Sequence, residues 1–237
     1  MPSVDDGSKD WEESKKMLRI AYDEGIRNII LTPHYHTRYW QTAPDELKEK
    51  LSELQRLAHD IDEDFQIYPG NELYYEHDAK ELLHNGIIQT LAGSSYVLVE
   101  FSPAQDFQYI KNSLYDLQMG GYSPILAHIE RYQCLEKNLQ YVVQLENMGI
   151  YLQVNASSVV GGNGLSTKRF VKKVLERNLI HFIGTDAHGA NIRPPHIKKC
   201  AQYIQKKYGD ERLELLLYHH PMRIIQNKSM SIPLLNI

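Results

Sequence analysis

The chain has 237 residues, 42% hydrophobic and 24% charged, a balance that suits one globular domain over 1–237. A net charge of −4 with no basic stripe argues against a nucleic-acid partner. Two cysteines, Cys134 and Cys200, are too few for a secreted disulfide framework, and no apolar run reaches the ~20 residues of a membrane span, so a cytoplasmic protein without membrane insertion is expected.

Met1 to Gly7 reads as a polar turn and not as a signal peptide. Trp11, Met17, Leu18 and Ala21 form an apolar stripe that predicts a helix over 11–24, ended by Gly25. A strand is predicted at 28–31, stopped by Thr32-Pro33-His34, then a charged helix from Pro44 to Asp62. The next strand, 65–68, is stopped by Pro69-Gly70 ahead of Asn71-Glu72. Strands at 96–99, 125–127, 151–154 and 182–184 run into Glu100, His128, Asn155 and Thr185-Asp186-Ala187-His188. Helices are predicted near 107–119, 137–148, 166–177 and 195–207, with final ones near 210–217 and 221–227. Six short apolar strands alternating with amphipathic helices predict parallel βα units with both strand faces buried, as in a barrel wall. The Gly161-Gly162-Asn163-Gly164 loop lacks the spacing and lysine of a phosphate loop.

In parallel barrels the active site forms at the C-terminal strand ends. Here those ends carry His34, Glu72, Glu100, His128, Asp186 and His188, with Arg131 and Arg193 close behind. Singly, each has an ordinary reading: a loop histidine, a surface charge, a helix cap. Glu100 and His128 fit that reading poorly, because a polar group closing an apolar strand risks burial without a partner. Gathered on one rim, the carboxylates would repel unless a cation intervened. A mixed nitrogen and oxygen set suits Mn, Fe, Co or Zn better than Ca, and two arginines beside it suit a bidentate grip on an oxyanion such as phosphate. Other hydrolytic routes fail on spacing. Six residues after Cys134 stands Gln140 and six after Cys200 stands Lys206, where a cysteine-dependent phosphatase needs arginine; no Gly-x-Ser-x-Gly occurs.

The segments Val4-Asp5-Asp6-Gly7, Thr32-Pro33-His34, Gly70-Asn71-Glu72-Leu73-Tyr74-Tyr75, Val99-Glu100-Phe101, Ala127-His128-Ile129-Glu130-Arg131-Tyr132, Gln153-Val154-Asn155 and Thr185-Asp186-Ala187-His188 with Arg193-Pro194-Pro195 span nearly the whole chain. In that order they resemble the polymerase and histidinol phosphatase (PHP) superfamily, and within it the CpsB/YwqE-type tyrosine phosphatases of capsule and exopolysaccharide operons in Gram-positive bacteria. The resemblance implies a distorted TIM-like (β/α)7 barrel with up to three metal sites, manganese first among the candidates. Asp6, His34 and His188 would bind one metal, Glu72 would bridge the other two, Glu100 and His128 would complete a second site, and Asp186 would contribute to the third. Arg131 and Arg193 would bind phosphate, and metal-activated water would displace the tyrosine phenolate. The implied partner is the phosphotyrosine tail of a bacterial tyrosine kinase.

Family members open with a strand ending in a His-x-His pair just before the Asp-Asp-Gly turn, whereas this sequence starts within that turn. The barrel is therefore expected to lack most of its first strand and two ligands, through a late start or a true truncation. Alternative readings are a PHP-type phosphatase for a small ester such as histidinol phosphate, and a catalytically impaired binding or scaffold relic. Among the remaining polar residues, Asn155 is a candidate hydrogen-bond donor behind the ligands, Asp5 shapes the turn, and His36 and His196 lie near enough to act. Tyr74, Tyr75 and Tyr132 read as packing or as cleft lining, and His59, His77, His84, His181, His219 and His220 as surface or packing.

Overall fold

A computed structural model describes residues 1–230. In chain order the elements are α1 (Trp11–Asp23), β1 (Asn28–Ile30), β2 (His34–Tyr35), α2 (Pro44–His59), β3 (Gln66–Tyr68), β4 (Glu72–Tyr74), α3 (Ala79–His84), β5 (Tyr96–Glu100), α4 (Phe107–Met119) and β6 (Ser123–Leu126). Then come α5 (Gln133–Lys137), α6 (Leu139–Asn147), β7 (Tyr151–Asn155), α7 (Ala156–Val160), α8 (Leu165–Glu176), β8 (Phe182–Gly184), α9 (Lys198–Tyr208), α10 (Asp210–Glu214) and α11 (His220–Ile225). Asp10 and Asp106 cap α1 and α4, each side chain accepting an amide of the first turn.

The strands form a six-stranded parallel sheet in the order β2-β4-β5-β6-β7-β8 and a two-stranded parallel pair, β1-β3. Strand order follows chain order, as expected when helices supply each crossover. Among the described residues β2 and β8 are the edges, so the curled sheet is a half-barrel, consistent with the distorted barrel expected to lack most of its first strand.

The two strands predicted at 28–31 and 65–68 each break and resume. Asn28 pairs with Gln66 and His34 with Glu72 at the same sequence offset, so β1 with β2, and β3 with β4, are two bent strands held in one register. Pro33 and Pro69 offer no amide to a ladder at the break. Gly70 is required there, because a Cβ would stand 2.9 Å from Leu91 Cδ2 and 3.1 Å from the Leu31 carbonyl oxygen. The helix predicted over 137–148 is divided at Asn138, whose extended backbone ends α5 and whose side chain caps α6. The final helices are joined by a π-helical turn, Leu215–His219. Pro221 follows it, and a proline inside a helix lacks the amide for the i−4 bond and crowds that carbonyl, which the wider turn relieves. The short helices α3, α5 and α7 carry too few residues for a periodic signal.

Strand alternation sorts the side chains. Val97, Val99, Leu126, Leu152, Val154 and Ile183 join the large outer cluster under the helices. Tyr96, Leu98, Ile125, Ala127, Tyr151 and Phe182 fill the inner face. A third cluster packs Leu18 and Ala21 of α1 on Leu54, Leu57 and Ala58 of α2 and on Ile67 of β3. Gly184 is kept small by the inner face too, since a Cβ there would lie 1.9 Å from the Gln153 amide nitrogen.

His181, just before β8, is buried and its Nδ1 accepts the Leu152 amide at 3.1 Å. Burial, with charges on His220 and Arg212 adding to it, pushes its pKa down to about 3. The folded value lies below the unfolded one of about 6.5, so protonation favours the unfolded chain. Stability present above pH 6.5 is therefore lost progressively towards pH 3, at about 1.4 kcal/mol for each pH unit from this residue. Urea denaturation at pH 7.5 and pH 4.5 should show that loss, and His181→Asn, which keeps an acceptor and does not titrate, should flatten it.

Candidate active site

The register that sorts the core also builds the rim. His34 pairs with Glu72, Glu72 with Leu98 and Leu98 with Ile125, one row across the inner face. One step higher, Tyr74 pairs with Glu100. Thus His34, Glu72 and Glu100 point inward because Leu73 and Val99, their strand neighbours, point outward into the large cluster. Asp186 and His188 follow β8 in its loop. Asp6 reaches the rim from the opening turn, which Asp5 fastens by accepting the Gly7 amide at 2.9 Å and the His34 amide at 2.8 Å.

His128 breaks the alternation. Ala127 faces inward and Leu126 and Ile129 outward, so a regular strand would send His128 outward. Its backbone instead adopts φ 31° and ψ 59°, in the left-handed region, and the imidazole turns in. Asp186 and Arg193 also sit at positive φ, both at 52°. For residues with a Cβ each such conformation costs roughly 1–2 kcal/mol, and strain of this kind is found at functional sites.

All seven candidate ligands meet. Asp6 Oδ1 lies 3.6 Å from His34 Nε2 and 3.5 Å from His188 Nε2. His34 Nδ1 lies 3.7 Å from Glu100 Oε2, and His188 Nδ1 3.7 Å from Asp186 Oδ1. Arg131 closes the ring, pairing with Asp186 and standing 3.9 Å from Glu100. Beneath it, buried His128 Nε2 contacts Glu72 at 2.8 Å and Glu100 at 3.3 Å. Arg193 reaches Asp6 at 3.4 Å and Asp186 at 3.5 Å. Asn155 donates to Asp186 at 2.8 Å, and buried Glu130 accepts the Asn155 amide at 2.8 Å.

Burial alone would lower the His128 pKa, but its contacts with Glu100 and Glu72 overrule it and push the value up to about 9. Burial works to raise the Glu100 carboxyl; His128, His34 and Arg131 hold it below the ordinary range. Glu130 is pushed up by burial.

The residues fit a divalent metal on three grounds. Asp6, His34 and His188 can each turn a donor atom to one point, as can His34, Glu72 and Glu100. The separations of 3.5–3.7 Å are too long for hydrogen bonds. They match two donors on one ion, which at bond lengths of 2.0–2.2 Å and tetrahedral angles stand ~3.3–3.6 Å apart. Finally, buried His34 Nδ1 and His128 Nδ1 have no hydrogen-bond partner. The second donor group takes His34 where the resemblance placed His128; here His128 is engaged as a hydrogen-bonded partner of both glutamates.

A cleft of about 410 Å³ opens over this rim, and its lining includes Asp6, His34, Glu100, Arg131, His188 and Arg193. The rest of the lining includes four rings: His36, Tyr39, Trp40 and Tyr74, the last beside Glu100 in the strand register. Sequence reading singled out neither Tyr39 nor Trp40; the one available signal was the density of rings in His34-Tyr35-His36-Thr37-Arg38-Tyr39-Trp40. Tyr75 and Tyr132 are buried packing residues, and His196 is held outside the cleft by Glu24 at 3.1 Å.

The family model described as capsular polysaccharide synthesis, CpsB/CapC, matches residues 1–226. The chain belongs to the CpsB/CapC family. It is 36% identical to tyrosine-protein phosphatase CpsB of Streptococcus pneumoniae over 95% of either chain. With tyrosine-protein phosphatase YwqE of Bacillus subtilis it shares 30% identity over 97% of its own length and 90% of YwqE. A solved structure from work on YwqE and S. pneumoniae CpsB, described as unique metal-dependent tyrosine phosphatases, superposes with a TM-score of 0.88 at 30% identity, covering 97% of this chain and 92% of that one. The CpsB/YwqE resemblance read from the motifs is borne out.

In this CpsB/CapC chain His34 serves both donor groups and Asp6 only one. His34→Ala should therefore strip metal from both, and Asp6→Ala from one, each by roughly tenfold or more in affinity. Metal per chain, measured by plasma emission after equilibration with limiting Mn, separates the two losses.

Proposed function

We propose that this chain is a metal-dependent protein-tyrosine phosphatase acting at the rim cluster, on the phosphotyrosine tail of a bacterial tyrosine kinase, in control of capsular or exopolysaccharide synthesis. The observation that carries the reading is the convergence of Arg131 and Arg193 on Asp186 beside the Asp6, His34 and His188 donor group. Oxygen-rich donors with imidazoles favour Mn, then Fe, Co or Zn. The half-barrel is read as PHP type, in a single domain over 1–237, and the working compartment as the cytoplasm.

Asp6, His34 and His188 would hold one ion, with Glu72, Glu100, His128 and Asp186 beside it. A divalent ion supplies charge neutralisation at phosphate and a nucleophile from water near neutral pH. The chain's own part is positioning. Each guanidinium carries five N–H donors, and the contacts of Arg131 and Arg193 with carboxylates leave donors for the non-bridging oxygens of a phosphate. Asn155 holds Asp186, and through it Arg131, in place. Tyrosine phenolate, with a pKa near 10, departs more readily than an alkoxide, so the rim needs no strong acid on the leaving side.

The reading is tested with metal-loaded protein on a phosphotyrosyl peptide and on histidinol phosphate. Phosphotyrosine should be turned over preferentially, and chelation should abolish turnover. Arg131→Ala should lower kcat/KM on the order of 10²-fold. Arg131→Lys should recover little, because an ammonium lacks the planar fork. Turnover of histidinol phosphate in preference to the peptide would instead make the chain a small-ester phosphatase.

A further inference from the structure

We infer that the aromatic side of the cleft, built by the loop from His36 to Trp40 together with Tyr74, is the seat of the substrate's aryl ring. It selects aryl over alkyl phosphate esters. The inference rests on the phosphatase reading above and adds the residues that recognise the group on the far side of the ester oxygen.

Four observations converge. First, the rings form one continuous surface. His36 stacks on Tyr74 with centroids 4.6 Å apart and planes at 17°, Tyr39 meets His36 edge-on at 4.7 Å, and Trp40 lies 6.3 Å from Tyr39. Second, that surface adjoins the donor group directly, because Trp40 stacks on His34 at 5.2 Å and 22°. Third, the rings are not core. Tyr39, Trp40 and Tyr74 belong to none of the three apolar clusters among the described residues, and Tyr39 is 72% exposed. It is the contiguity of these rings along the cleft, and not the exposure of Tyr39 alone, that marks a binding surface. Fourth, the loop is held in shape. The His36 amide donates to the Trp40 carbonyl at 2.9 Å, the Trp40 amide returns to the His36 carbonyl at 3.0 Å, and the Thr37 hydroxyl is bonded to Glu76.

The lining thus combines charged groups and arginines with an adjoining set of rings. An aryl phosphate has the same division, a dianionic head one oxygen away from a flat apolar body. Offset or edge-on ring contacts contribute about 0.5–1.5 kcal/mol beyond area burial, which corresponds to roughly two- to tenfold in affinity. An alkyl ester gains none of this.

Binding of phenylphosphonate and ethylphosphonate to the metal-loaded chain, by titration calorimetry, tests the inference without turnover. The expected result is tighter binding of the phenyl compound. Tyr39→Ala should weaken phenylphosphonate roughly two- to tenfold and leave ethylphosphonate unchanged, while Tyr39→Phe, which keeps the ring, should retain the preference. Tyr39 is exposed, so its replacement does not threaten the fold. Equal affinity of the two compounds for the unaltered chain overturns the inference, as does a loss in Tyr39→Ala that is the same for both. A phenyl preference that persists in a chain unable to hydrolyse phosphotyrosine upholds the aryl seat and defeats the phosphatase reading instead.

Discussion

Four carboxylates, Asp6, Glu72, Glu100 and Asp186, share one rim, and like charges at such separations raise one another's pKa values unless cations stand between them. Every other feature of the site answers that constraint. Arg131 and Arg193 bracket Asp186, His128 sits against Glu72 and Glu100 as a proton-holding partner, and His34 and His188 face Asp6 at distances suited to an ion and not to hydrogen bonds.

The constraint is met by backbone register. One in-register row carries His34, Glu72, Leu98 and Ile125, so the inner face turns from ligand to apolar core within a single layer. The core beneath fixes the rim above, because a slip of one residue would send each ligand outward. At His128 register alone gives the wrong face, and a left-handed backbone corrects it. The cost of that conformation is borne by the surrounding packing, with Ala127 and Ile129 both fully buried on either side.

Stability and function are drawn from different layers. The outer cluster under the helices and the inner apolar plug are built of ordinary hydrophobic residues in regular geometry. The mouth of the half-barrel holds three left-handed residues, His128, Asp186 and Arg193, and two orphaned ring nitrogens, on His34 and His128. Asp5, Asn155 and Glu130 link the two layers, each joining a site residue to backbone or to a neighbouring strand.

The sequence by itself determined the wound parallel α/β plan, the family, and the candidate donors, because strand ends in a βα unit are marked by where an apolar run stops. Glu100 and His128 were legible on that ground: a charged residue closing Tyr-Val-Leu-Val and an imidazole closing Ile-Leu-Ala have few other uses. Only the tertiary structure decided the rest. The break and resumption of the first two strands was hidden because Pro33 and Pro69 look like terminators when the partner strand that keeps their register is out of view. The open edge of the sheet was expected from the missing first strand, but the separation of β1 and β3 as a two-stranded pair was not. The inward turn of His128 depends on a single dihedral, and the aromatic wall on a loop folding back over a cleft that exists only once the sheet has curled. Local residue patterns record which groups are available and which faces are apolar; the direction in which a side chain finally points is set by long-range packing.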